Sequence, residues 1–156
     1  MGRPTKKKAS GYTLKYVVRI SEWIEDWIRQ ELSHRGYPEL VLSHCEILTY
    51  LRRKGACSQQ ELARAIRRDK STVSTLVARL QLQGLIRIRK NPEDGRSRLA
   101  DLSAEGRILA RQVALGYARL ERRLHSILSE KQRTDFLQIT QLVYTEIERD
   151  RNSDKG

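Results

Sequence analysis

No apolar run in the chain approaches the roughly 20 residues that a membrane-spanning helix needs, and its basic start, MGRPTKKKASG, lacks the apolar stretch that would follow in a signal peptide. A cytoplasmic protein with no membrane partner is therefore expected. Cysteine is scarce as well. Cys45 and Cys57 flank one expected helix, about 18 Å apart along its axis, which is too far for a bond within the chain. There is no glycine-rich phosphate loop, no nucleophile elbow, no zinc-finger spacing and no acidic cluster suited to metal-assisted cleavage of nucleic acid. His44, Cys45 and Glu46 are metal-ligand types, yet adjacent residues on a helix point in different directions and cannot share one ion. These absences exclude the common enzyme classes, so neither catalysis nor a cofactor nor a metal is expected.

Acid is missing selectively. The chain has 156 residues and a formal net charge of +12, with 38% hydrophobic and 32% charged residues, ordinary for a single soluble helical domain except in the charge. Residues 1–19 hold six Lys/Arg and no Asp/Glu, and residues 52–98 hold thirteen against four, whereas residues 20–51 hold two against six. A generally basic surface would not alternate in this way. Concentrated positive charge calls for a polyanionic partner at two places along the chain.

The first of these, residues 1–12, is too poor in apolar side chains to fold alone and reads as a flexible basic arm. Gly2-Arg3-Pro4 matches the core of minor-groove AT-hook peptides, but three residues weigh less than the plain reading of a solubilising tail. A helix is expected from Leu14 to about Arg35, with Ile20, Trp23, Ile24, Trp27 and Ile28 on one face. HRGYPEL breaks it. A second helix should start at Ser43, where Ser43 and Glu46 have capping-box spacing and Leu42 and Ile47 that of a hydrophobic staple; Ile47, Leu48 and Leu51 form its buried side, and Gly55 ends it.

Ser58 to Gly84 then reads as two short helices joined by a tight turn, a helix-turn-helix. Ser58 and Glu61 repeat the capping-box spacing, and Leu62, Ala65 and Ile66 make the inner stripe of the first helix. In the second, Val73, Leu76, Val77 and Leu80 recur at i, i+3, i+4 and i+7 and must face the core. Ser71, Thr75 and Ala78 then face outward, flanked by Thr72, Ser74 and Arg79. A merely solvated face would carry Glu and Lys. Hydroxyls that can meet base edges, small side chains that can meet a thymine methyl, and an Arg that can fork onto guanine suit the major groove of double-stranded DNA.

After Gly84 the alternating LIRIRK and RLADL predict a β-hairpin turned by NPEDGRS, with Asp94 bracing an Arg of that hairpin. Ser103 should cap a long helix with Leu109, Val113, Tyr117, Leu120 and Leu124 in a stripe. Ser129 and Gln132 should open another with Phe136, Ile139, Leu142, Val143 and Ile147. Together with the first helix these offer more apolar face than one small domain can cover, which homodimerisation would explain.

ELARAIRRDKSTVSTLVARLQLQGLI followed by NPEDGRSRLADLSAEGR resembles the winged-helix core of the MarR (multiple antibiotic resistance regulator) family of transcription factors. The likeness runs without a gap from Ser58 to Arg107 and more loosely from Leu42 onward, and Asp94, Arg96, Leu102, Ser103 and Gly106 meet its D-x-R and L-[ST]-x-x-G signature. One departure stands out: Arg67 and Arg68 occupy a turn where the family usually has Gly and an apolar residue. The family's peroxide-sensing branch carries its reactive Cys in the first helix, where this chain has none. The resemblance implies a mainly α fold with a small β-hairpin. A winged helix-turn-helix would occupy residues 40–102, and dimerisation helices from both termini residues 13–36 and 103–150. It also implies a repressor that binds a pseudo-palindromic operator as a homodimer, with a small-molecule effector whose cavity Tyr16, Trp23, Trp27 and Tyr37 could line. The expected DNA-binding residues are Arg67, Arg68, Lys70, Ser71, Thr72, Ser74, Thr75 and Arg79 around the helix-turn-helix, with Arg96 and Arg98 on the wing. An architectural protein that binds DNA with little sequence preference is the alternative that the net charge supports.

Overall fold

The computed structural model describes residues 11–153, so the expected arm lies almost wholly outside the described residues. Six helices and one small sheet follow in the order α1 (Tyr12–His34), α2 (Leu42–Lys54), β1 (Cys57–Ser58), α3 (Gln59–Ile66), α4 (Lys70–Leu82), β2 (Ile86–Lys90), β3 (Arg98–Leu102), α5 (Ala104–Ser126) and α6 (Glu130–Ser153). The chain divides within α5 into two compact units, Met1–Ala114 and Leu115–Gly156.

The first unit holds the winged helix. Leu62 from α3, Val73, Val77 and Leu80 from α4, Ile47, Leu48 and Leu51 from α2, and Ile28 and Leu32 from α1 are all buried, with Leu85, Ile86, Ala100 and Leu102 closing the core from the sheet side. Fully burying one such side chain stabilises the fold by about 1.5–3 kcal/mol, which is why the apolar periodicity decides the helix faces. Ala65 is an exception. α3 is only eight residues long, and its buried residues are Leu62 and Ile66, while Ala65 is exposed. The periodicity overstated the width of that stripe.

The sheet has three antiparallel strands in the order β1-β3-β2, not the two of a simple hairpin. Ile86 to Lys90 pair with Leu102 to Arg98, and the short β1 adds Cys57 opposite Ala100 and Ser58 opposite Leu99. Both cysteines are buried and neither forms a disulfide, and burial, reinforced by the Glu61 carboxylate, pushes the Cys57 thiol up to about 11. A thiol so rarely ionised is a poor nucleophile.

α2 begins one residue earlier than Ser43, so the expected capping box there does not form. Val41 is the N-cap, and His44 takes the part assigned to Glu46: its Nδ1 accepts the Val41 N–H at 3.0 Å while its own N–H donates to the Val41 carbonyl at 2.9 Å. The other two boxes are present. Glu61 N–H donates to Ser58 Oγ at 3.2 Å and Ser58 N–H to Glu61 Oε2 at 2.7 Å, and Ser129 and Gln132 repeat the exchange at the start of α6.

α4 ends in a Schellman turn, with Gly84 at φ 72°, its N–H on the Gln81 carbonyl and Leu85 N–H on the Leu80 carbonyl. Ser103 locks this turn to the start of α5: its Oγ donates to Gly84 O at 2.6 Å and accepts the Gly106 N–H at 2.9 Å, and its own N–H donates to Leu85 O at 3.0 Å. A Cβ on Gly106 would stand 1.9 Å from that same Leu85 oxygen, so the L-S-x-x-G signature is a close backbone crossing that only glycine permits.

In the second unit α6 leaves Ile139, Leu142, Val143 and Ile147 all more than half exposed. In the first, the early part of α1 does the same with Tyr12, Leu14, Tyr16, Val17 and Val18.

Candidate nucleic-acid interface

The expected outer arc of α4 is where the periodicity put it. Ser71, Ser74, Thr75, Ala78 and Arg79 are exposed and Thr72 is half-buried, on the side opposite Val73, Val77 and Leu80. Lys70 opens the helix and is exposed. Thr75 turns its hydroxyl back on the Ser71 carbonyl at 3.2 Å, which leaves its methyl for an apolar contact.

Asp69 is not among the expected site residues, although an Asp just before a helix is a local start signal. It is the N-cap of α4, accepting the Thr72 N–H at 2.8 Å, the Thr72 hydroxyl at 2.6 Å and the Ser71 hydroxyl. The Ser71 hydroxyl, then those of Thr72 and its amide, hold this exposed carboxyl well below the usual carboxylate range. Two of the hydroxyls expected to read DNA are thereby committed as donors. What they can offer a groove is lone pairs, which suit the amino groups of adenine and cytosine and disfavour phosphate.

The turn before α4 is built on a strained residue. Arg67 has φ 55° and ψ 47°, a left-handed conformation that no other non-glycine among the described residues adopts, and Arg68 N–H then reaches the Ala63 carbonyl at 3.1 Å. Arg67 is exposed beside Lys70 in the chain. Arg68 lies instead against the start of α2, lining a cavity of about 190 Å³ with Glu25, Arg29, Val41, Leu42 and Ser43. The aromatic side chains expected to line a cavity are not among these.

Arg79 is not a free arm. Its Nη1 meets Glu39 Oε2, on the loop between α1 and α2, at 2.6 Å, with both side chains about half exposed. Nothing in the spacing could announce a pair forty residues apart. Beneath this region His44 is buried, with no hydrogen-bond partner at Nε2 among the described residues; burial first, and the Arg79 charge second, hold its pKa below the ordinary value.

On the wing, Arg96 and Arg98 are exposed and the loop is tied by Asn91 N–H to Ser97 O and Ser97 N–H to Asp94 O, each at 3.0 Å. Asp94 does brace this loop, through the backbone N–H of Arg96 at 3.0 Å, which fixes the chain at Arg96 rather than its guanidinium. Arg89 is turned to Asp101 at 3.5 Å on the outer face of the sheet.

A helix-turn-helix whose second helix bares a polar arc, followed by a three-stranded sheet with a basic loop, defines a winged-helix DNA-binding protein. Residues 40–97 match the model of the MarR family. This winged-helix segment thus matches the MarR family, whose members are DNA-binding transcription regulators and not enzymes.

No curated protein matches in sequence. Among solved structures, the fold is similar to S. aureus MepR in complex with DNA (TM-score 0.75, 23% identity, covering 86% of this chain and 97% of that one). It is similar to a probable transcriptional regulator from Pseudomonas aeruginosa (TM-score 0.72, 23% identity, 87% and 97%). A third likeness is to Bordetella bronchiseptica BpsR, whose DNA binding is regulated by 6-hydroxynicotinic acid (TM-score 0.71, 21% identity, 92% and 98%). No helix of the described residues is long and apolar enough to cross a membrane.

Proposed function

We propose that the protein is a repressor that binds a pseudo-palindromic operator as a homodimer, placing α4 of each copy in a major groove and the Arg96–Arg98 wing against the adjoining minor groove. The observation that carries this reading is the exposed arc of α4, where Ser74, Thr75, Ala78 and Arg79 supply contacts of the base-reading kind on a helix whose opposite side buries Val73, Val77 and Leu80 and half-buries Leu76. Lys70, Arg67 and the wing arginines hold phosphate. Two apolar faces support the dimer: Tyr12 to Val18 on α1 and Ile139 to Ile147 on α6 are each left to solvent in a single copy, and a second copy covers them at the least cost. Release by a small-molecule effector belongs to the same proposal. It is supported by the likeness to BpsR, and it requires the ligand to prefer the spacing of the two copies that cannot bind DNA.

The test is a binding titration of Ala variants on operator and scrambled duplexes, alongside sedimentation of the free protein. Changing Thr75 or Arg79 should cost roughly 1–3 kcal/mol on the operator and much less on scrambled DNA, whereas changing Arg96 should weaken both. Equal losses on the two duplexes from the α4 variants would hand the lead to the architectural reading. A monomer at micromolar concentration with DNA binding intact would end the dimer proposal.

A further inference from the structure

We infer that Glu39 is the residue that positions Arg79 for base reading, and that it sets how sharply the protein discriminates its operator from other DNA. The inference rests on the proposed role of α4. Glu39 stands on the connection between α1 and α2, outside the helix-turn-helix, and its Oε2 holds Arg79 Nη1 at 2.6 Å. The connection is pinned on both sides of it. Tyr37 N–H donates to the Leu32 carbonyl at 2.9 Å, Leu40 N–H donates to the Tyr37 carbonyl at 3.2 Å, and the Leu40 side chain is buried. Pro38 further fixes the backbone before Glu39. The carboxylate is therefore presented by a rigid segment rather than by a loose loop.

A guanidinium tethered at one nitrogen keeps the others for a second partner. Because the side chain is already ordered, docking its planar fork on the O6 and N7 of guanine sacrifices less freedom than docking an untethered arginine. The tether also limits the alternative. An untethered Arg79 could swing to any phosphate, whereas a tethered one brings a carboxylate with it, which phosphate repels. Glu39 thus favours the one contact that depends on sequence and opposes the many that do not.

The experiment is a double-mutant cycle of E39Q and R79A in the full chain, read as the ratio of affinities for the operator and for duplexes with single base-pair changes and scrambled sequence. E39Q should strengthen binding to scrambled DNA about threefold, through the lost repulsion. It should reduce discrimination at one guanine per half-site by about three- to tenfold. E39D, which keeps the charge, should restore part of that discrimination, and in the R79A background E39Q should leave it unchanged. Parental discrimination in E39Q, or equal weakening on every duplex, would overturn the role of Glu39 while leaving base reading by Arg79 standing. Unchanged discrimination in R79A alone would overturn that base reading itself, a separate and recognisable failure.

Discussion

Replacing Arg67 by glycine should make the protein more stable and a weaker DNA binder at once. Its φ of 55° and ψ of 47° put Cβ close to the following carbonyl oxygen, at a cost of about 1–2 kcal/mol that glycine does not incur. Glycine gives back about 0.4–1 kcal/mol because its unfolded chain is freer. The net gain is on the order of 0.5–1 kcal/mol, or a rise in Tm of about 1–4 °C for a chain of this length. Arg67→Ala is the necessary companion, since it removes the same guanidinium and its contacts but keeps the left-handed strain. Denaturant titration of the three proteins at one fixed concentration gives the stabilities, and the concentration must be fixed because association would itself stabilise. Anisotropy titrations on an operator duplex across a salt series give the second half. If Arg67 meets phosphate, each variant should lower the log–log salt slope by about 0.9 per lost contact. Should the glycine variant prove no more stable than the alanine variant, the strain argument fails. A salt slope unchanged in both would remove Arg67 from the DNA-contacting set without touching the stability argument.

Two further expectations follow from other parts of the first unit. Gly106→Ala must drive a methyl into the Leu85 carbonyl and break the Ser103 crossing, so it should destabilise by about 3 kcal/mol, measured by the same denaturant titration; a loss under about 1 kcal/mol would mean that α5 can shift freely there. His44 titrates below its ordinary 6.5 when folded, so the unfolded chain takes up its proton first: its contribution is complete above pH 6.5 and is lost as pH falls below it. His44→Gln, which keeps an acceptor for the Val41 N–H, should flatten the fall in stability below pH 6.5, and an unaltered pH profile would refute the assignment.

Most of the fold was legible because its signals are local. The Ser58–Glu61 and Ser129–Gln132 boxes lie three residues apart, and the core stripe of α4 repeats within two turns, so both can be read along the chain. Where the reading went astray, the physics is equally specific. Histidine is not a usual capping partner, yet His44 can accept through Nδ1, and the more familiar Ser43–Glu46 spacing drew the helix start one residue late. β1 is two residues long, and no alternation can be read over two residues. Of the interface, the outward arc was legible and its acids were not equally so. Asp69 carries a local signal, whereas Glu39 reaches Arg79 across forty residues of chain, a separation that no spacing pattern announces.

Those two acids have a consequence for how such a protein would find its site. Asp69 closes the first turn of α4 and Glu39 holds Arg79 near its last, so on a chain of net charge +12 each end of the exposed arc carries a carboxylate. Attraction to arbitrary DNA then falls to Arg67, Lys70 and the wing arginines, which grip the backbone without regard to sequence and permit sliding. The outer arc of the helix, between its two acids, is held off the phosphates while it tests each register. Such a searcher moves quickly over wrong sequence and stops where base contacts repay the approach of its acids, so its residence time, more than its rate of arrival, should distinguish the operator from the rest of a genome.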